Sequence, residues 1–141
     1  MSIADEVWIT RIVGFSAAHR YHSTSLSDEE NQRVFGKCNR PHGHGHNYRL
    51  EVTVGGRVDP VTGMVMNLAD LDRILRDHVV ERLDHSFLNF DIEHFAEVVP
   101  TCENIVLWLR EQLRPALDGI GITLKNLRLH ESDDLYAEVE G

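Results

Sequence analysis

The sequence predicts an α+β fold: a four-stranded antiparallel sheet carrying two helices on one face. Three observations predict it. Several stretches alternate apolar and polar residues with period two, and two others repeat apolar residues at spacings of three and four. In chain order these read strand, strand, helix, helix, strand, strand. No internal repeat or low-complexity tract divides the 141 residues, so one domain over residues 1–141 accounts for them.

The first strand lies in Glu6 to His19, where Val7, Ile9, Val13, Phe15 and Ala17 hold odd positions and only Arg11 interrupts the series. Ser23 to Gly36 is polar and reads as a loop, with a short helix start at Ser27-Asp-Glu-Glu. From Asn47 to Val54 the alternation resumes, with Tyr48, Leu50, Val52 and Val54 on one face. After the Gly55-Gly56 and Asp59-Pro60 turn signals, Asn67 can cap a helix whose apolar positions are Leu68, Leu71, Ile74, Leu75 and Val79. A polar connector follows. Pro100-Thr101 then opens a second helix through Ile105, Trp108, Leu109 and Leu113, ending near Gly119 and Gly121. The tail alternates twice, through Ile122 to Leu129 and Leu135 to Val139, with a tight turn at Asp133-Asp134. A sheet of this kind exposes unpaired backbone at both edges, so subunits are expected to join their sheets edge to edge.

Composition excludes several classes of partner. Fourteen Lys and Arg against 23 Asp and Glu give a formal net charge of −9, a poor match to a phosphate backbone, so nucleic acid is disfavoured. The first residues, Met-Ser-Ile-Ala-Asp-Glu-Val-Trp, carry acids where a signal peptide carries basic residues, and no apolar run is long enough to span a bilayer. A cytoplasmic protein without a membrane partner is expected. Cys38 and Cys102 make no disulfide framework and read as free thiols.

Nine histidines is a high count, and they cluster. In Cys38-Asn-Arg-Pro-His42-Gly-His44-Gly-His46-Asn-Tyr48, three imidazoles share the parity of Tyr48, Leu50, Val52 and Val54. His19 likewise extends the odd series of the first strand. Two strands therefore aim histidines at one interior, where an unpartnered imidazole cluster is costly and a divalent cation such as zinc supplies the partner. A solvated polar loop is the plainer alternative, and phase argues against it. Spacing does not choose which two of His42, His44 and His46 join His19.

Cys38 precedes this run beside Lys37 and near Arg40, positive charges that favour a thiolate. It can be a fourth metal ligand, a base or nucleophile, or a packed thiol; three imidazoles with an open coordination position favour catalysis. Asp84-His85 offers a carboxylate that can pair with an imidazole, either its neighbour or one brought close by folding, with a surface charge pair as the plainer alternative. Glu131 continues the phase of Leu127 and Leu129, so its carboxylate points inward, where a ligand presenting two adjacent N–H donors would satisfy it; a capping role in the turn before Asp133 is the plainer alternative. Glu103 lies in the first helical turn after Thr101, where an acid meets the positive end of the helix dipole. Thr101 and Glu103 stand with Glu131 as candidate substrate-binding residues. His22, His78, His94 and His130 lack a comparable arrangement.

Taken in order, Phe15-Ser-Ala-Ala-His19, Cys38 with five residues before His44-Gly-His46-Asn-Tyr48, Met66-Asn-Leu-Ala-Asp70-Leu, Leu83-Asp84-His85 and Glu131 resemble the 6-pyruvoyl-tetrahydropterin synthase family over nearly the whole chain. The resemblance implies a T-fold whose subunits join into a barrel, as trimers paired into a homohexamer. It implies zinc on His19, His44 and His46, with His42 outside the set. Cys38 would be the proton-abstracting group, Asp84 and His85 its relay partners, and Glu131 the pterin anchor. The implied reaction is a zinc-dependent carbon–oxygen lyase step that converts 7,8-dihydroneopterin triphosphate to 6-pyruvoyl-tetrahydropterin with loss of triphosphate, in tetrahydrobiopterin biosynthesis.

Relatives of the family make 6-carboxytetrahydropterin for deazaguanine (queuosine) biosynthesis or cleave dihydroneopterin derivatives toward folate. The carboxy-forming members carry a shorter gap between cysteine and His-x-His, so the five intervening residues here favour the pyruvoyl type. A non-catalytic zinc- or pterin-binding paralogue is the competing class, and the intact Cys38, Asp84, His85 and Glu131 argue against it. Cys102 stands where many members carry a hydroxyl residue.

Overall fold

Two long antiparallel strands, β1 (Glu6–His19) and β2 (His44–Arg57), form the centre of the sheet in the computed structural model, which describes residues 5–141. Met1–Ala4, part of the stretch in which the lack of a leader is read, lies outside the described residues. The remaining elements are α1 (Asp28–Phe35), α2 (Leu68–Leu75), α3 (Glu81–Leu83), β3 (Ser86–Phe87), α4 (Leu88–Asp91), α5 (Cys102–Asp118), β4 (Thr123–Ser132) and β5 (Leu135–Glu140). The sheet order is β3-β1-β2-β4-β5. The α+β class and the strand-strand-helix-helix-strand-strand plan agree with the sequence pattern, but the sheet has five strands rather than four. Ser86 and Phe87 pair parallel to Ala17 and Ala18, a contact too short to leave a periodic signature.

One sheet face is apolar because its strands keep phase. Phe15 and Ala17 of β1, Tyr48, Leu50, Val52 and Val54 of β2, and Leu124, Leu127 and Leu129 of β4 are all buried. In β4 the parity changes between Leu124 and Leu127, and the register irregularity opposite Thr53/Val54 returns these leucines to one face. Helix α5 lays Ile105, Val106, Leu109, Leu113 and Leu117 on that face, and α2 adds Leu71, Ile74 and Leu75. Each fully buried leucine contributes about 2 kcal/mol of transfer free energy. The predicted helix through Val79 continues past α2 as a π turn over Arg76–Val80 and ends with α3. Arg11, which breaks the apolar series of β1, makes a two-point ion pair with Asp72 of α2, Nε to Oδ1 at 2.8 Å and Nη2 to Oδ2 at 2.9 Å.

Two connectors carry more structure than their composition predicts. The 23–36 excursion holds an eight-residue helix, α1, closed by a reciprocal capping box between Ser27 and Glu30. The polar stretch after α3 tucks Leu88, Ile92 and Phe95 into the core at irregular spacing, which hides them from a periodicity reading. Among the described residues, no helix is long and apolar enough to cross a membrane.

Candidate active site

The register of β1 and β2 assembles the histidines. His19 lies opposite His44 and Ala17 opposite His46, so alternate side chains from both strands meet on the core face at one end of the sheet. His42 does not join them. Gly43 takes φ +69°, which ends the alternation, and His42 sits exposed in the preceding turn. Glycine is required there twice over: a Cβ would lie 2.7 Å from the Phe87 ring and 2.8 Å from the His19 carbonyl oxygen. The backbone thus selects His44 and His46 where spacing left three equivalent choices.

His19 is fully buried, and its Nδ1 lies 2.8 Å from the Pro100 carbonyl oxygen. A carbonyl only accepts, so Nδ1 carries the ring proton and Nε2 presents a lone pair. That Nε2 lies 3.0 Å from Nε2 of His44 and 3.4 Å from Oε1 of Glu131. His46 Nε2 lies 3.1 Å from the same Glu131 oxygen but is not aligned for a hydrogen bond and is otherwise unpartnered. Burial lowers the His19 pKa to about 4, with His44 and His46 pushing the same way and the Pro100 contact opposing. Burial and the neighbouring His46 also lower that of His44.

His19 and His44 are therefore neutral at pH 7. One ligand atom from each of His19, His44 and His46 lies within 4.8 Å of the other two. Three convergent imidazole nitrogens, one of them buried without a hydrogen-bond partner, fit a divalent cation.

Glu131 ends the inward series Leu127, Leu129, Glu131 and is almost fully buried, as its phase predicts. Cys38 lies in the 3₁₀ turn Gly36–Asn39, half-buried, and its carbonyl accepts from Tyr21 N at 2.8 Å, which ties the turn to the end of β1. Asn39 reinforces the tie by donating to the Tyr21 carbonyl at 2.7 Å. Asp84 does pair with its neighbour: Oδ2 lies 2.9 Å from His85 Nδ1 while Oδ1 accepts from Ser16 N at 2.8 Å. The Ser16 amide, with help from His85, holds the Asp84 carboxyl below the usual range. His85 adopts φ +62° and, with His46, Gly45 and Ser86, lines an open cavity of about 370 Å³. Among the described residues, no hydrogen bond or ion pair links Cys38 to Asp84 or His85.

Thr101 Oγ1 accepts from Asn104 N at 3.1 Å, so this hydroxyl caps α5, and Glu103 is exposed in the first turn of that helix. Cys102 is buried, donates to the Leu129 carbonyl at 3.2 Å, and has its pKa pushed up to about 11, mainly by burial. It is a packed thiol.

Sequence reasoning missed Tyr21. Its ring meets His19 edge-on at 5.0 Å between centroids, and burial raises its pKa, with Glu131 and Cys38 adding to the effect. Tyr21 continues the odd series Phe15, Ala17, His19 by one more step, a signal that was present but lies beyond the end of β1.

A family model for 6-pyruvoyl tetrahydropterin synthase matches residues 8–141. The chain is similar to a 6-pyruvoyl tetrahydrobiopterin synthase of Poecilia reticulata, 50% identical over 126 residues that cover 89% of this chain and 84% of that protein. The protein of the same name from Homo sapiens is 47% identical over 133 residues, covering 94% and 90%. A solved structure of Caenorhabditis elegans 6-pyruvoyl tetrahydropterin synthase superposes with a TM-score of 0.92 at 38% identity, covering 100% of this chain and 99% of that one.

Proposed function

The chain belongs to the 6-pyruvoyl tetrahydropterin synthase family, and on that premise we propose that it converts 7,8-dihydroneopterin triphosphate to 6-pyruvoyl-tetrahydropterin with loss of triphosphate. The observation that carries this reading is the convergence of His19, His44 and His46, all within 4.8 Å and beside the buried Glu131 carboxylate. His19, His44 and His46 would hold zinc, which when bound would supply a Lewis acid for the oxygens of the substrate side chain.

The chain's own groups do the rest. Glu131 accepts the paired N–H donors of the pterin ring and fixes its orientation. Thr101 and Glu103, at the N-terminus of α5, border the ring site. The Cys38 thiolate removes the side-chain proton, and Asp84 with His85 passes it on. Loss of the proton from the hydroxyl carbon next to the phosphate-bearing carbon expels triphosphate and leaves an enol that becomes one ketone. Loss of the proton from the hydroxyl carbon attached to the ring passes that carbon's electron pair to the ring imine, so the ring becomes tetrahydro as the second ketone forms. Arg20, Lys37 and Arg40 line a cavity of about 440 Å³ beside the Cys38 turn, local positive charge that a triphosphate needs on a chain of net charge −9.

We assign the protein to the cytoplasm and to a homohexamer built as a dimer of trimers. Supporting the latter, β3 covers only Ala17–Ala18 of β1, and β5 is an uncovered edge. Since no hydrogen bond or ion pair among the described residues joins Cys38 to Asp84 or His85, we propose that the relay closes across a subunit boundary.

The test is incubation of the zinc-loaded protein with dihydroneopterin triphosphate, followed by mass spectrometry of the pterin. Triphosphate release with the pyruvoyl product supports the reading, and a carboxy or hydroxymethyl product replaces it. Binding without turnover, unaffected by Cys38→Ala, would mark a non-catalytic pterin-binding protein instead.

A further inference from the structure

We propose that Asn104 is a positioning residue for the metal centre, acting through the Pro100 carbonyl on the tautomer and orientation of His19. The inference rests on the metal reading above. Three contacts carry it. The Val99 carbonyl accepts from Thr101 N at 2.8 Å, closing a three-residue turn with Pro100 at its centre. The same carbonyl accepts from Asn104 Nδ2, also at 2.8 Å. Pro100's own carbonyl is then directed to His19 Nδ1 at 2.8 Å.

Asn104 occupies the third position of α5, where a capping box carries Glu or Gln reaching back to the cap N–H. Here the cap N–H of Thr101 is already bound by Val99, so that role is filled. The site needs a donor instead, and the short amide of Asn104 provides one. Proline suits the turn because its ring fixes φ and it has no N–H to satisfy. The result is a chain of fixed groups, Asn104 to Val99 to Pro100 to His19, that ends by leaving the His19 Nε2 lone pair facing His44 and Glu131. Outer partners of this kind set ligand basicity and direction. The same turn leads into Thr101 at the proposed ring site, so metal geometry and the start of α5 are mechanically linked.

Asn104→Asp keeps the shape but puts an acceptor against the Val99 carbonyl. Zinc affinity, measured by competition with a chromophoric chelator, is expected to weaken about 10- to 100-fold. Leu113→Ala, buried on the same helix and remote from the turn, is the control for lost stability and is expected to leave affinity unchanged. Nitrogen NMR of the metal-free wild type, which needs no variant, is expected to show His19 protonated on Nδ1.

Unchanged zinc affinity in Asn104→Asp, an equal loss in Leu113→Ala, or a wild-type His19 protonated on Nε2 would each overturn the inference while leaving the metal reading intact. A wild type that binds no zinc would remove both.

Discussion

Glu131 Oε1 stands 3.1 Å from His46 Nε2, so the carboxylate expected to hold the substrate ring touches the ligand set expected to hold the metal. The two halves of the site therefore share one buried wall, built by adjacent strands β2 and β4. Glu131→Gln tests how the halves divide the work. It keeps the volume and removes the charge that two N–H donors would meet, each such bond being worth about 1.5–3 kcal/mol. The expected outcome is a loss in kcat/KM on the order of 100-fold, carried mainly by KM, with zinc content unchanged on elemental analysis. Loss of zinc in this variant would make Glu131 a ligand rather than an anchor.

Gly43 is the second test, because the histidine register hangs on it. At φ +69°, with ring and carbonyl atoms under 3 Å from any added Cβ, Gly43→Ala carries both a left-handed backbone penalty and a steric one. A destabilisation of about 2–4 kcal/mol is expected, seen as a Tm lowered by roughly 10 °C. Because the displaced atoms include the His19 carbonyl, zinc retention on gel filtration should fall too. His42→Ala, in the exposed turn one residue earlier, should change neither. A Gly43→Ala protein as stable as wild type would show that this turn does not set the register.

Much of this was legible in the sequence, and the residues show why. Phe15, Ala17, His19 and Tyr48, Leu50, Val52 report side-chain phase directly, so both strands and the inward histidines could be read from alternation. Glu131 was legible for the same reason. Alternation says nothing of where it stops; the family resemblance sets His42 apart, and the positive φ of Gly43 gives the physical reason. The Pro100 carbonyl was out of reach because a backbone acceptor has no identity in a sequence. Leu88, Ile92 and Phe95 reach the core from short irregular turns, which have no period to detect.

The buried His19 makes a prediction about acid. Its pKa is lowered from 6.5 to about 4, so between those values the unfolded chain binds a proton that the folded, metal-free chain does not. Stability must then be fully present above pH 6.5 and decline as pH falls toward 4. From pH 7 to pH 5 the metal-free protein is expected to lose about 2 kcal/mol from this group, with His44 contributing in the same direction. Urea unfolding at pH 7, 6 and 5 checks it. In His19→Gln the slope should flatten relative to wild type, a difference that cancels the exposed carboxylates. Equal slopes would mean that His19 is not held neutral by burial.

The separation of Cys38 from Asp84–His85 yields a prediction about assembly. Cys38 is tied to Tyr21 and Asn39 lies beside it in the same turn, while Asp84 is tied to the Ser16 amide and His85 opens onto the cavity beside His46. If a subunit boundary joins them, Cys38→Ala and His85→Ala damage different members of one composite site. Each variant alone should fall at least about 100-fold in turnover, the usual contribution of a positioned acid or base. After the two are unfolded together, refolded and reassembled, some boundaries pair an intact Cys38 with an intact Asp84–His85 dyad. Activity should then rise well above either parent, toward a quarter of wild type for random mixing of two independent partners. The gain should track the fraction of mixed oligomers seen by native mass spectrometry. Mixed oligomers that form without any gain would place Cys38 and the dyad in the same subunit's site, and the relay would have to close within one chain.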